Sequence, residues 1–514
     1  MQAIQDLARQ LERLQIESNQ KRWALYTTGF DFGVDEAQAK IRAAYQDPGS
    51  FKLISGTLDM DLAPADRRRV EILFRDFRPY HRSQKANELH SKIEALETKL
   101  GDLLSRQRTA IDGREYSTTE IGRILSESPD RELRRRVFLA RAQVNRQLVD
   151  GGFLNLLELR KEFALACGAS DFISFSLEQD DLTKDLFHGW REQCASRQVS
   201  FRKVRDGLAQ RHLGVEEYKP WDGAFLKNSF CKKNREIVDL TNFRSVVAKV
   251  FQEFGFEIEN LAITYDIFPR KNKSEWGYMF PIQIGKDTRV LANMDNRFSS
   301  YWVLLHETAH AVHFLGLDPE DRLLNRGVSG IVAEGFANFF GDLVYSKEFL
   351  AQFFANRVEE AHEEFAGLKA LDDLQNFTSL STMFFDHDLY LRDLKSLQDI
   401  NQLKWKTDQE LLGLEPYGDE PIWGQLIHHT TAPIYLHNYF VGDVLCSAMK
   451  TEFERRSGSS WHKRPQDFGL YWKNEVLAPS GLYPFMTLFQ RVTGQNPNVT
   501  SFLNQTLRSA ESQL

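Results

Sequence analysis

No run of 18 apolar residues occurs in the 514-residue chain, so no membrane-spanning helix is expected. Cysteine is scarce. Cys167, Cys194, Cys231 and Cys446 stand far apart with no C-x-x-C pair, which excludes a disulfide framework and points to reduced thiols in a cytoplasmic setting. The opening residues Met1-Gln2-Ala3-Ile4-Gln5-Asp6 lack the apolar core of a signal peptide, so export is not expected. Positive charge is not in excess, the formal net charge being −7. The runs Arg67-Arg68-Arg69 and Arg131 to Arg136 are interleaved with acids and apolar residues and read as solvated helix faces, so no nucleic-acid partner is expected. Internal repeats and low-complexity linkers are missing too, and strand signal is sparse.

What is present is a globular composition, 42 % hydrophobic and 27 % charged, with helical periodicity along most of its length. Ile4, Leu7, Leu11, Leu14 and Ile16 mark an amphipathic helix over 1–26, and Asp31-Phe32-Gly33-Val34-Asp35 a turn. Residues 64–111 read as helix broken near Pro79, giving two antiparallel packed helices. Ser128 is placed as N-cap with Pro129 at the first helical position, of a helix running to Cys167 and ended by Gly168. Helices at 181–213 and 240–254 flank a turn at Trp221-Asp222-Gly223. Strands are expected at 262–268, 277–284 and 290–294. The fold class expected is therefore mainly α, with one small β-sheet just ahead of residue 301.

The chain is organised around Tyr301 to Gly316, an apolar helix that carries His306-Glu307-Thr308-Ala309-His310. Residues four apart project from one face, so the two imidazoles stand one turn apart with Glu307 about 100° round from His306. Two metal ligands and a general base on one turn is the H-E-x-x-H arrangement of zinc peptidases. Zinc needs a third protein ligand. A histidine at 316 would complete a metzincin, but the sequence has His313 and Gly316. The next apolar helix, Ser329 to Tyr345 with Ser329 as N-cap, holds Glu334 between alanine and glycine, and only Asn338 and Asp342 share its stripe. Glu334 is the expected third ligand of one Zn2+ per chain, with Glu320 of the polar 318–322 loop as competitor. Asn338 or Asp342 is expected to support a ligating histidine. A strand edge beside such a centre suits addition of a peptide as an extra strand.

The segment Asp266 to Tyr278, with Asp266, Arg270, Lys273 and Gly277, then Asn293 and Leu305 to His313, resembles the thimet oligopeptidase and oligoendopeptidase F family. The Glu334 spacing and Tyr435-Leu436-His437-Asn438-Tyr439-Phe440 also resemble angiotensin-converting enzyme. Ala309 departs from the glycine usual in the oligopeptidases. The resemblance implies an oligopeptidase-like, two-lobed helical ellipsoid with a deep channel and zinc on its floor. Residues 1–514 would form a single peptidase unit, with 1–255 as N-terminal helical lobe and channel lid, 256–450 as catalytic core and 451–514 as C-terminal helices. It implies hydrolysis of short unfolded peptides, with Glu307 as base and His429 and Tyr439 as donors to the developing oxyanion. Tyr435 is the alternative donor. His428 and His437 read as surface, and His313 as packing. The converting-enzyme branch grips a terminal carboxylate with a lysine and a tyrosine at positions that are Ile427 and Leu436 here, and its chloride-binding arginine falls on Asn438. Oligoendopeptidase action is expected, with dipeptidyl carboxypeptidase action as alternative, and after it a zinc- or peptide-binding protein without turnover. Oligomeric state is not legible.

Overall fold

Helix takes up 69 % of the residues. The computed structural model describes residues 1–274 and 277–514, with Ser105 and Arg106 described by backbone alone. Glu275 and Trp276, inside the oligopeptidase-like segment, lie outside the described residues. Two compact units form, each from three separate stretches: 1–82, 234–355 and 441–497 in the first, 83–233, 356–440 and 498–514 in the second. Among the described residues no helix is long and apolar enough to cross a membrane.

In the first unit the amphipathic helix Gln2–Thr28 buries Ile4, Leu7 and Leu11 against Ile41, Val70 and Leu73 of the helices Val34–Gln46 and Pro64–Phe77. A three-stranded sheet follows in the order Ile263–Asp266, Asp287–Leu291, Tyr278–Gln283. The first pair is parallel and the second antiparallel, so Tyr278–Gln283 is an edge strand. Its register is set by residues singled out in the sequence. The buried Lys273 ammonium donates to the carbonyls of Asp266, Phe268 and Ala292 and pairs with the Asp266 carboxylate. Arg270 forks onto Asp266, and Asn293 donates to the Ser274 carbonyl at 2.6 Å. These bonds satisfy the backbone of the loop that leads into the edge strand.

The second unit contains the long helix Val358–Leu391, which packs on Leu397–Leu412, and a small hairpin of Thr109–Ile111 with Arg114–Tyr116.

Several expectations are corrected. Pro64–Phe77 and Gln84–Arg106, expected as antiparallel neighbours, belong to different units. The chain passes from one unit to the other at residues 82–83, and Gln84–Arg106 packs on Phe153–Ala166. The helix expected from Ser128 to Cys167 is three helices, Arg131–Ala140, Gln143–Gly151 and Phe153–Ala166. Its N-cap is Asp130, whose carboxylate accepts from the N–H groups of Glu132 and Leu133 at 3.0 Å. The arginine runs are not wholly solvated. Arg68 is buried and donates to the Gly481 carbonyl, and Arg134, 2 % exposed, pairs with Asp222 at 3.0 Å.

Candidate metal centre

The first ligand helix is Ser300–Leu315. Tyr301, Leu304, Leu305, Thr308, Ala309 and Val312 are buried, which leaves His306, Glu307 and His310 on its half-open face. The Thr308 hydroxyl meets the Tyr265 hydroxyl at 3.0 Å, tying the helix to the first strand of the sheet. Ala309, at the glycine position of the resemblance, is fully buried.

The second ligand helix is Gly330–Asp342. Ser329 occupies its N-cap position, but its hydroxyl makes no capping bond. Glu334, Asn338 and Asp342 form a partly open stripe along its buried surroundings. This helix crosses Val441–Ser457 at a glycine pair: a Cβ at Gly335 would lie 2.7 Å from the Gly442 carbonyl. The close approach fixes the height of Glu334.

The three expected ligands converge. The two Nε2 atoms are 3.2 Å apart, His306 Nε2 is 3.6 Å from Glu334 Oε2, and His310 Nε2 is 3.6 Å from Glu334 Oε1. A tetrahedral ion bonded at about 2.0–2.1 Å spaces its ligand atoms by about 3.3–3.4 Å. The triangle therefore fits such an ion. Among the described residues no other group of three His, Cys, Asp or Glu side chains is so arranged. Glu320 is not part of it and pairs with Arg322. Burial lowers His306 to about 4 and His310 well below the ordinary histidine range, so both rings are neutral, with lone pairs to offer, at neutral pH. His306 is braced by Trp302, whose ring lies face to face with it at 4.8 Å between centroids. Trp302 Nε1 donates to Asp342 at 3.1 Å, and Asn338, beside His306, donates to Asp443 at 3.1 Å.

Glu307 is pushed up to about 7, first by burial and then by the charge of Glu334, against a hydrogen bond from the Met279 N–H. Met279 belongs to the edge strand. Pro281, two residues on, has no N–H, and its carbonyl accepts from Asn19 Nδ2 of the first helix at 2.7 Å. A cavity of about 340 Å³ lies between that helix and the edge strand, lined by Gln15, Asn19, Tyr26, Tyr278 and Met279 among others. His313 is packing, 1 % exposed between the rings of Phe314 and Phe336.

The remaining site candidates lie in the second unit. His429, 1 % exposed, turns inward, its Nδ1 2.7 Å from Asp386. The other Asp386 oxygen accepts from the Ile434 N–H at 2.7 Å, and Ile434 holds φ +55°, a strained value for a β-branched residue. Tyr439 does not meet His429. Its hydroxyl is 3.0 Å from His428 Nε2, and Tyr435 stacks on His428 and meets Tyr439 edge-on at 5.7 Å between centroids. Tyr435 and Tyr439 are exposed. His437, expected at the surface, is 0 % exposed against Phe187.

A helical fold with a His–His–Glu triangle and an adjacent carboxyl defines the class of metal-dependent peptidases. The family model described as peptidase family M3 matches residues 124–507, and the chain belongs to that family. The matched span contains the ligand triangle, Glu307 and the segment 428–439. No curated protein matches in sequence. Among solved structures the chain is similar to an M32 carboxypeptidase from Deinococcus radiodurans R1 (TM-score 0.70, 15 % identity, 100 % of this chain and 99 % of that one). It is similar also to a carboxypeptidase from Pyrococcus furiosus (0.70, 14 %, 100 % and 98 %) and to a structure described as a putative oligoendopeptidase F (0.68, 16 %, 99 % and 92 %). At such identities the likeness shows a common mainly helical fold.

Proposed function

We infer that the chain is a zinc-dependent oligopeptidase that hydrolyses internal bonds of short, unfolded peptides. The observation that carries this reading is the convergence of His306, His310 and Glu334 with Glu307 on the adjoining turn. A divalent ion held by those three side chains supplies Lewis-acid polarisation and acidifies water. Glu307 takes a proton from the attacking water at its carboxylate and returns it to the leaving amine. In an ion-loaded site the nearby positive charge brings Glu307 down from its raised value, which favours the basic form. The peptide lies along the Tyr278–Gln283 edge. Pro281 lacks an N–H and Met279 shares its parity, so both turn their backbone groups away from the Asp287–Leu291 partner and toward that free edge. Strand addition is thus available at the Met279 carbonyl, its N–H being held by Glu307, and stops at Pro281, whose carbonyl Asn19 already holds. Tyr439, with Tyr435 as alternative, is assigned to the developing oxyanion on the family resemblance of residues 427–440, whereas His429, whose Nδ1–H is turned onto Asp386, is given no part in that step.

Endopeptidase action is favoured over dipeptide release because Ile427, Leu436 and Asn438 stand where the converting-enzyme branch holds its charged and phenolic grips. Digestion of a quenched-fluorescent peptide library, with and without chelator, tests the activity. One peptide with a free and with an amidated C-terminus tests the mode. Equal cleavage of both is expected, and failure on the amide alone would assign dipeptidyl carboxypeptidase action instead.

A further inference from the structure

We propose that a cavity inside the second unit binds a small organic monocarboxylate with an apolar or aromatic body and one N–H donor, the chemistry of an N-acylamino acid. The cavity measures about 520 Å³, within the usual range for small-molecule sites, and is lined by Arg141, Lys404, Trp221, Tyr218, Tyr417 and His429 among others.

The argument starts from charge. Lys404 is paired with Asp408, and Arg205 with Asp206 at 3.2 Å. Arg141 has no carboxylate at ion-pair distance among the described residues. Its Nε donates to Gln425 Oε1 at 2.5 Å, and its guanidinium lies 5.2 Å from the centre of the Phe138 ring. Burial lowers its pKa, opposed by Tyr417 and by no acid. The cavity is therefore short of one negative charge. A partly buried guanidinium without a counter-charge is poorly solvated, and an incoming carboxylate offsets that through the terminal fork.

Shape and polarity narrow the ligand further. Phe138, Trp221 and Tyr417 pack edge-on as one wall, with centroids 5.7–6.5 Å apart, which suits an apolar body rather than a bare inorganic ion. Asp386 accepts at Nδ1 of His429, which puts the neutral ring's proton there and leaves Nε2 as an acceptor. That Nε2 is buried without a partner and is positioned to receive an N–H from the ligand. The site stands on second-unit residues alone and does not depend on the peptidase reading.

Calorimetric titration of the full-length, metal-loaded protein with N-acetyl-L-phenylalanine, its amide, chloride and phosphate tests this. Saturable binding of the acid, about tenfold or more tighter than the amide, is expected. Chloride and phosphate at matched ionic strength should neither bind tightly nor displace the acid. Equal binding of acid and amide, no saturable binding, or displacement by chloride would overturn the proposal, whatever variants do. Arg141→Met should abolish the preference for the acid while leaving the ligand-free melting temperature unchanged or raised, because it removes a partly buried charge that has no carboxylate partner among the described residues. A structural arginine would instead leave that variant destabilised. Should Arg141→Met not fold, Arg141→Lys keeps the charge without the fork and should weaken the acid several-fold. Undiminished acid affinity in either variant would sink the assignment.

Discussion

Gly341 lies directly under the indole of Trp302, where a Cβ would come within 2.9 Å of the ring. That ring in turn lies flat on His306. Alanine in a helix interior is ordinarily better than glycine by about 1 kcal/mol, while overpacking a tight contact costs about 1–3 kcal/mol. Gly341→Ala is therefore expected to shift Trp302 off His306 and weaken zinc binding by about tenfold, the scale seen when the supports of a ligating residue are lost. Competition against a chromophoric chelator measures it. Unchanged affinity with raised stability would mean that Trp302 does not hold the ligand.

Glu307→Gln should keep one zinc per chain, because Glu307 is not among the three converging ligands. Peptide hydrolysis should fall by about a hundredfold to ten-thousandfold, the usual worth of a positioned base. Metal analysis and initial rates on the same sample separate the two effects. Near-normal turnover would remove Glu307 from the proton-transfer role.

Asp386 holds two buried groups, His429 Nδ1 and the Ile434 N–H. Asp386→Ala leaves both without an acceptor, at about 1–3 kcal/mol each, so a loss of about 2–6 kcal/mol is expected in urea unfolding. Ile434 should also relax from its positive φ, exposing residues 432–440 to proteolysis. A loss below about 0.5 kcal/mol would show that neither bond matters.

Acid should destabilise the protein through His437 and His387. Burial pushes them to about 3 and about 4, the first further lowered by the second; nearby Asp386 opposes both shifts, joined at His387 by Asp388. Both values lie below the unfolded value near 6.5, so the unfolded chain binds more protons between about pH 6.5 and 4. The stability these rings contribute is present above pH 6.5 and lost as pH falls, by up to about 1.4 kcal/mol per pH unit for each ring. His437→Leu removes two buried nitrogens that have no partner. Its stability at pH 7 should stay within about 1 kcal/mol of the parent, with a shallower acid limb. An unaltered acid limb would show that His437 charges without cost.

How far the sequence could be read depended on how local the information was. The spacing of His306 and His310, and the isolation of Glu334 in an apolar helix, are local facts, and all three side chains meet as expected. The three strands near 262–294 were legible from apolar runs bounded by Pro269 and a lysine cluster. The 109–116 hairpin went unread inside a helical pattern, although Asp112-Gly113 is a turn signal. The inward turn of His429 and the burial of His437 carried no local sign, because Asp386 and Phe187 lie 43 and 250 residues away.

The chain's order of residues by itself determined the shared face of His306 and His310, the place of Glu307 beside them and the helical class, since helix geometry converts a four-residue interval into a shared face. Which helix packs on which, that Arg141 has no carboxylate at ion-pair distance among the described residues, and which of two adjacent histidines bonds Tyr439 were decided only in three dimensions. Those outcomes depend on the total balance of burial and pairing across distant segments, and no short stretch of sequence contains that balance.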